Sequence, residues 1–227
     1  MKTIILVRHG KAEEQGTEKT DYDRVLIERG MNDSAAVAVK LENRKIQPSL
    51  IISSPAPRAL ATAKVIAGQL GYRKKSIRTR KMLYDQLEGA LLDVVHMIGD
   101  EFGDVIIVGH NPSIEEFTRF LAKKFKGTVP TCGVVGLRCK VDSWKDISGN
   151  SGKLTFVETP SGPGKSTPPK IVKKEIEEKF YNCIVGVCAE DGIELKGKAL
   201  KQVKKTIAEL TQLFTRKSKK KAKKKSK

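Results

Sequence analysis

The apolar residues of this chain fall into short continuous runs that alternate with longer amphipathic stretches. Thr3–Val7 and Val105–Val108 are aliphatic, β-branched runs, typical of strands buried on both faces of a parallel sheet, and Leu50–Ile52 is a shorter run of the same kind. Between them, apolar residues recur with helical spacing. The alternation predicts an α/β domain, a three-layer α/β/α sandwich with a mostly parallel central sheet.

Helices are predicted where small and apolar residues recur between boundary signals. Gly71 stands at a left-handed C-cap of the second helix, and Ser113 is predicted to cap the fourth at its amino end. The predicted helices are Glu28–Leu41, Arg58–Leu70, Gly89–Ile98 and Ile114–Lys124. Their apolar faces are predicted at Ala35, Ala36, Val39 and Leu41 in the first and at Leu60, Ala61, Val65 and Leu70 in the second. Further strands are predicted at Arg78–Met82, as an edge, and at Val134–Val141 and Leu154–Glu158.

The carboxyl-terminal part differs from the rest in composition. Ser161–Lys170 is rich in Pro, Gly and Ser, so we predict a linker there, following a catalytic domain that spans residues 1–160. Residues 171–215 are predicted to form a helical extension. Arg216–Lys227 has nine basic residues in twelve and is predicted to be a disordered basic tail.

Most of the net charge of +18 belongs to this carboxyl-terminal part. Residues 1–164 contain 25 Lys and Arg against 19 Asp and Glu, whereas residues 165–227 contain 19 against 7. Such a tail either binds nucleic acid or another polyanion nonspecifically through counterion release, or serves only to keep the chain soluble. No aromatic residue lies among the lysines of the tail, so base stacking is not expected there.

Cysteine usage and hydropathy predict a cytoplasmic protein. The four cysteines match no common zinc or redox signature, so reduced thiols and no metal site are expected. The amino terminus lacks the features of a secretory signal peptide. No segment approaches the roughly 20 apolar residues that a membrane span requires.

Two histidines occupy equivalent positions, each directly after a predicted buried strand. His9 follows the first strand and His110 follows the strand at Val105–Val108. Because ligands of open α/β sheets bind at the carboxyl ends of the strands, both imidazoles are expected to face one crevice. Arg8 adjoins His9, and Arg58 follows the turn after another strand. Two guanidiniums and two imidazoles suit a small dianion such as phosphate, to which guanidinium offers planar, paired donors.

The residues around these positions resemble the histidine phosphatase superfamily, which has a phosphoglycerate mutase-like fold, and within it the small SixA-type phosphohistidine phosphatases. The resemblance extends over roughly residues 1–160. It implies that His9 is a nucleophile that becomes a covalent phosphohistidine, that Arg8, Arg58 and His110 hold the phosphoryl oxygens, and that no metal or other cofactor takes part. The matching blocks are Leu6–Glu13 (LVRHGKAE), Asp21–Gly30 (DYDRVLIERG), Ser53–Ala63 (SSPAPRALATA) and Val108–Glu115 (VGHNPSIE).

Phosphoryl transfer sets conditions on the two imidazoles. His9 attacks phosphorus only when neutral, so its other ring nitrogen is expected to hydrogen-bond to a backbone carbonyl that fixes the tautomer. A protonated His110, with Arg8 and Arg58, would stabilise the negative charge on the equatorial oxygens.

Further residues flank the predicted pocket. Lys11 and Asn111 are candidates for substrate contacts, although Lys11 is equally well explained as a solvated side chain. Relatives that act on alcohol phosphates use a carboxylic acid in the region where this chain has Asp85 and Glu88. Each is a candidate, with a loop acid or a helix amino-terminal charge as the alternative. His96 is predicted to be a partly buried structural histidine.

The loop after His9 contains a second charged group that matches the family pattern. Asp23, Arg24 and Arg29 are expected to supply a loop ion pair, and Gly30 to permit a turn.

The preferred hypothesis is a phosphatase that acts on phosphorylated protein histidines. Loss of general acid catalysis costs roughly 10²–10⁴-fold on a poor leaving group, whereas a protonated imidazole leaves readily, so a missing proton donor favours phosphohistidine. The first alternative is a phosphomonoesterase for a small metabolite. The second is a nucleic-acid- or ribosome-associated protein that uses its basic tail and has a vestigial catalytic body.

Overall fold

A computed structural model describes residues 1–16, 20–85, 87, 89–160, 181, 184, 188, 196, 197 and 199–209. The chain divides into two compact units, Met1–Lys165 and Ser166–Lys227. In the second unit, residues 199–209 are helical. The predicted linker at 161–170 and basic tail at 216–227 lie outside the described residues, as does most of the predicted extension, so these remain predictions. Within the described part of the chain, no helix combines the length and apolarity that crossing a membrane requires.

The first unit contains a six-stranded mixed sheet in the order β3-β2-β4-β1-β5-β6. Neighbouring strands from β3 to β1 are parallel, whereas β5 is antiparallel to both β1 and β6. The strands are β1 Lys2–Arg8, β2 Leu50–Ser53, β3 Arg78–Thr79, β4 Asp104–Gly109, β5 Val134–Cys139 and β6 Gly152–Glu158. The helices are α1 Glu28–Asn43, α2 Pro57–Gln69, α3 Met82–Asp85, α4 Ala90–His96 and α5 Ser113–Leu121.

The sheet separates two hydrophobic cores, and β1 contributes to both. Ile4 and Leu6 pack in one core with residues of α4 and α5, whereas Ile5 and Val7 pack in the other with residues of α1 and α2. All four side chains are fully buried. The α/β class predicted from the continuous apolar runs is therefore confirmed. The sheet is mixed because β5 and β6 form an antiparallel pair, which needs no crossover helix.

The buried faces of α1 and α2 differ from the predicted ones. In α1, Ala35 is exposed, and in α2, Leu60 and Val65 are only partly buried. Both helices carry small or apolar residues on most of their surface, so periodicity alone did not identify the buried side. The side chains that α2 buries include a charged residue of the predicted pocket: Arg58, Ala59, Thr62, Ala63, Ile66 and Ala67. Those that α1 buries are Gly30, Ser34, Val37, Ala38 and Leu41.

Several element boundaries also differ from the predictions. The predicted strand Arg78–Met82 is limited to Arg78–Thr79, because β3 pairs only with the last two residues of β2, and Met82 begins α3 instead. Ser113 is the first residue of α5 and not its cap, since Pro112 occupies the cap position without a side-chain hydrogen bond.

Gly30 lies inside α1, so the predicted turn at this position is wrong. A Cβ atom at Gly30 would stand 2.0 Å from the carbonyl oxygen of Lys11, a separation that no side chain tolerates. The same carbonyl accepts a hydrogen bond from the backbone N–H of Ile27 at 3.1 Å. Gly30 therefore allows α1 to pack directly against the loop that follows His9.

The charged group of this loop also pairs differently from the prediction. Arg24 pairs with Asp21 at 2.6 Å, and Arg29 pairs with Asp33 within α1 at 3.5 Å. Asp23 instead accepts a hydrogen bond from the hydroxyl of Thr20 at 2.6 Å.

Candidate active site

The two central parallel strands end beside each other and carry the two histidines of the predicted pocket. Arg8 at the end of β1 is in register with Gly109 at the end of β4, and the backbone N–H of His9 donates to the Gly109 carbonyl at 3.0 Å. The ring centroids of His9 and His110 lie 4.9 Å apart. The two imidazoles therefore share one crevice at the carboxyl edge of the sheet.

His9 is held in a single tautomer. Its Nδ1 lies 2.7 Å from the carbonyl oxygen of Gly10, which can only accept, so Nδ1 carries the proton and the lone pair is on Nε2. Burial lowers the pKa of His9 to about 4, helped by the charges of Arg58 and Arg8 and opposed by the bond to Gly10. The predicted hydrogen bond to a backbone carbonyl is confirmed, and the imidazole is neutral at physiological pH with the lone pair of Nε2 unprotonated.

The loop that carries His9 is fastened to α2. The backbone N–H of Gly10 donates to the Thr62 hydroxyl at 3.0 Å, and that hydroxyl donates to the Arg58 carbonyl at 2.8 Å. Because Thr62 lies one turn after Arg58, one helix positions both the loop of the imidazole and a guanidinium.

Arg58 is 3 % exposed and is neutralised by Asp21, a residue that we did not predict to be part of the site. Arg58 Nη2 donates to Asp21 Oδ2 at 2.7 Å, and Nη1 donates to the Asp21 carbonyl. The other carboxylate oxygen of Asp21 accepts from Arg24 Nη1 at 2.6 Å. Burial favours the neutral carboxyl, but the hydrogen bonds from Arg24 and Arg58 hold the pKa of Asp21 below its ordinary value. The carboxylate of the pocket is therefore ionised.

His110 is 2 % exposed, and its Nε2 lies 2.9 Å from the hydroxyl of Ser54. The ring of Tyr84 packs edge-on against it, with 5.7 Å between centroids. Burial lowers the pKa of His110 to about 3, assisted by His9 and Arg58. Burial and the neighbouring positive charges therefore favour the neutral ring in this structure, and the prediction that His110 is protonated while the phosphoryl group transfers stays a prediction. Neither Ser54 nor Tyr84 was a predicted site residue.

Arg8 and Asn111 both contact the loop before β5. Arg8 Nη1 and Asn111 Nδ2 donate to the Val129 carbonyl at 2.9 and 3.0 Å. Asn111 Nδ2 also lies 2.6 Å from Glu115 Oε1, which accepts from the Val129 N–H at 2.8 Å. The amide nitrogen of Asn111 thus supports this loop, whereas Arg8 keeps further donors available.

Of the remaining predicted site residues, Lys11 and Asp85 are exposed, and no hydrogen bond links either of them to the two imidazoles. Lys11 is exposed, and it contributes its backbone carbonyl to the contact with α1. Asp85 is exposed at the end of α3, and Glu88 lies outside the described residues. His96 has the predicted structural environment, with Nε2 2.9 Å from the Ile147 carbonyl.

The buried neutral imidazoles predict a specific acid sensitivity. In the unfolded chain His9 and His110 bind protons near pH 6.5, but in the fold they do so only near pH 4 and 3. The unfolded state therefore binds more protons between these values, so stability is full above about pH 6.5 and falls as the pH is lowered. We expect the two histidines to lower the free energy of unfolding by about 2–5 kcal/mol at pH 4.5 relative to neutral pH. Urea unfolding at neutral pH and at pH 4.5 measures this difference.

One double variant and one single variant separate this effect from ordinary acid unfolding. The H9N/H110N protein should lose most of this pH dependence, whereas H96N should keep it. Equal pH dependence in the wild type and H9N/H110N would contradict the assignment.

Comparison with known proteins relates this geometry to a family. The sequence model of the histidine phosphatase superfamily (branch 1) matches residues 4–104. An uncharacterized chloroplastic protein of Arabidopsis thaliana is 26% identical over 159 residues, which cover 66% of this chain and 72% of that protein.

Solved structures share the fold. A candidate phosphohistidine phosphatase SixA of Agrobacterium tumefaciens has 24% identity and a TM-score of 0.59, covering 72% of this chain and 99% of its own. The protein histidine phosphatase SixA in complex with tungstate has 18% identity and a TM-score of 0.60, covering 70% and 97%. The crevice of this chain therefore lies in a fold that phosphatases use.

Proposed function

We propose that this chain is a member of the histidine phosphatase superfamily, whose sequence model matches residues 4–104, and that it hydrolyses phosphohistidine in protein substrates through a covalent phospho-His9 intermediate. The observation that carries the choice of substrate is the ion pair between Asp21 and Arg58, which keeps the carboxylate of the pocket ionised.

In the first step, Nε2 of His9 attacks phosphorus and forms a new N–P bond. The N–P bond of the substrate breaks, and its electron pair goes to the substrate imidazole. When that ring is already protonated on its other nitrogen, it leaves as neutral imidazole, so the enzyme need not supply a proton.

In the second step, a water molecule attacks the phosphorus of phospho-His9 and inorganic phosphate is released. The proton on Nδ1, which donates to the Gly10 carbonyl at 2.7 Å, makes the ring of His9 a good leaving group for the same reason. His9 returns to the neutral tautomer from which it started, so the hydrogen bond to Gly10 serves both steps.

Positive charge around the crevice would stabilise the transferring group. We propose that Arg58 keeps its ion pair with Asp21 and offers its remaining N–H groups, including the unpartnered Nε, to phosphoryl oxygens, and that Arg8 adds a second guanidinium. The arrival of a dianion reverses the electrostatic balance at His110, so its pKa should rise and the ring should become a charged donor. The tungstate bound to the compared SixA protein is a tetrahedral oxyanion of the same shape as phosphate.

The scarcity of acid groups favours phosphohistidine over phosphate esters. An alcohol leaving group needs a proton donor, worth roughly 10²–10⁴-fold in rate. In the described part of the chain, the carboxylate that contacts Arg58 is ionised, and the other described candidate, Asp85, is exposed. A phosphorylated imidazole does not have this requirement.

An apolar cleft beside His110 favours a protein substrate over a small metabolite. The cleft has a volume of about 650 Å³ and begins at Pro112, directly after the histidine loop. Leu87 and Phe120 on its walls are 69% and 42% exposed. Exposed apolar surface of this kind is typical of protein contacts, because a small polar phosphate ester gains nothing from it.

The proposal is tested by comparing kcat/KM for a histidine-phosphorylated protein with values for sugar, nucleotide and p-nitrophenyl phosphates. We expect the phosphohistidine protein to be preferred by at least ~10²-fold, the lower end of what a missing general acid costs an ester. A preference for any of the esters by a similar margin would contradict the proposal and indicate a phosphomonoesterase.

The D21N variant supplies the matched control, because Asn keeps the shape of Asp21 but cannot donate a carboxylic proton. We expect its activity to stay within about tenfold of the wild type on both classes of substrate. A loss of ~10²–10⁴-fold restricted to the esters would instead identify Asp21 as a general acid. The E88Q variant applies the same test to Glu88.

A further inference from the structure

A second cleft lies at the opposite end of the strands from the histidines. It has a volume of about 710 Å³, and its walls include Ser49 and Leu50 at the start of β2, and Phe102 just before β4. Since β4 has six residues, the cleft and the imidazoles are separated by roughly 20 Å along the strands. The catalytic residues do not reach this cleft.

The cleft is strongly basic. Arg73, Lys75 and Arg78 line it, all three side chains are exposed, and no carboxylate is among the described residues of its lining. The segment Arg73–Lys81 has six basic residues in nine and no acidic one. Of the carboxylates close to Phe102 in sequence, Asp100 accepts a hydrogen bond from the Trp144 N–H at 2.9 Å, and Glu101 and Asp104 are exposed and do not line the cleft. These cations have no ion pair within the described part of the chain and are available to an anion.

Aromatic side chains form part of the same walls. The guanidinium carbon of Arg78 lies 4.9 Å from the ring centroid of Phe102. Tyr72 also lines the cleft, and its hydroxyl donates to the Ser76 carbonyl at 3.1 Å, which holds the ring at the rim. A cationic groove with aromatic faces is how proteins bind single-stranded nucleic acid without reading its sequence. An acidic peptide would engage the charges but would leave the aromatic faces unused.

We propose that this cleft binds the phosphodiester backbone of a single-stranded polynucleotide, with bases packed against the exposed part of the Tyr72 ring and against the Arg78 guanidinium, which covers the Phe102 ring. The cleft and His9 lie at opposite ends of the strands of the sheet, so binding in the cleft is separate from catalysis. It is also distinct from any nonspecific attraction by the predicted basic tail, since every residue that lines the cleft lies in the first unit.

The test compares two variants of the full chain that each remove three positive charges. R73Q/K75Q/R78Q changes the cleft, whereas R138Q/K140Q/K153Q changes exposed residues of β5, β6 and the turn after β5, at the opposite edge of the sheet from β3. Binding of fluorescein-labelled (rU)₂₀ and (dT)₂₀ is measured by anisotropy between 50 and 300 mM salt, with both probes included to distinguish RNA from DNA.

We expect the cleft variant to raise Kd about 30- to 100-fold near 0.1 M salt, because each lost phosphate contact on a single strand lowers the salt slope by about 0.7. The control should change Kd by less than about threefold. Equal weakening by both variants would overturn the proposal, since net charge would then explain the binding. Displacement of the oligonucleotide by a poly-glutamate of equal charge, with the same sensitivity to the cleft variant, would overturn it in favour of an acidic protein.

Thermal unfolding of each variant checks its structure without depending on phosphatase activity. If R78Q disturbs the packing on Phe102, the Kd for the oligonucleotides is compared instead between R73Q/K75Q, which changes two exposed residues of the cleft, and K140Q/K153Q as its control. An unchanged Kd in R73Q/K75Q would likewise overturn the proposal.

Discussion

His9→Asn should lower kcat on a histidine-phosphorylated protein by at least about 10⁴-fold, because it removes the nitrogen that is proposed to attack phosphorus. Because Nδ1 of His9 donates its proton to the Gly10 carbonyl, the free lone pair of the ring is on Nε2. The amide of asparagine is not nucleophilic. KM should change much less, since the cationic groups that hold the phosphate remain. Steady-state and single-turnover kinetics on the same substrate measure both quantities.

His96→Asn is the matched control for this variant. His96 is the one histidine of the chain that does not belong to the crevice, and its Nε2 is hydrogen-bonded to the Ile147 carbonyl. Its replacement should leave kcat within about twofold of the wild-type value, as is usual for a substitution away from the reacting groups. If H9N retained a tenth of the wild-type kcat while remaining folded, the nucleophile would have to be another group.

Arg58→Gln should lower kcat/KM by about 10²–10³-fold, the usual effect of removing one group that stabilises developing negative charge. The side chain is 3 % exposed, so water does not replace the lost charge. Arg58→Lys should recover only part of the activity, because an ammonium group cannot offer two parallel donors. Kinetics of both variants, with tungstate inhibition as a measure of oxyanion affinity, check the prediction.

Arg24→Gln distinguishes this role from a structural one. Arg24 and Arg58 pair with different oxygens of the same Asp21 carboxylate, so both substitutions disturb one ion-pair network. Of these two arginines, only Arg58 is proposed to contact the phosphoryl group. R24Q should therefore lower kcat/KM by less than about tenfold. Equal losses in R24Q and R58Q would show that both act through Asp21.

The central strands were predictable because their burial dictates their composition. β1 and β4 are covered on both faces, so four consecutive residues in each of them are aliphatic, and the histidines that follow could be placed at one edge of the sheet from sequence alone. Gly10 was in the matching block, yet only the structure shows that its carbonyl fixes the tautomer of His9.

The helix faces were less predictable for the opposite reason. α2 has small or apolar residues on most sides, so its hydrophobic pattern does not distinguish the face with Leu60 from the face that buries Arg58. The burial of Arg58 depends on its partner, Asp21. Asp21 lies in an irregular loop, where no periodic pattern predicts which residues are in contact. The block Asp21–Gly30 was the available signal, and it indicated a charged loop without indicating the contact.

The charge state of His110 could not be derived from residue types. A pocket with two arginines suggests a phosphate site with a cationic histidine, but the same arginines, together with burial, lower the pKa of His110 to about 3 before any anion is present. The sign of this effect depends on distances and on exposure, neither of which a motif contains.

Covalent labelling tests the central claim most directly. The enzyme is mixed with a protein carrying ³²P-phosphohistidine, quenched in alkali within milliseconds, and digested. We predict acid-labile, alkali-stable label on the peptide that contains His9, none in H9N, and normal label in H96N. Label of equal amount in H9N, or label on a different residue of the wild type, would contradict the phospho-His9 mechanism.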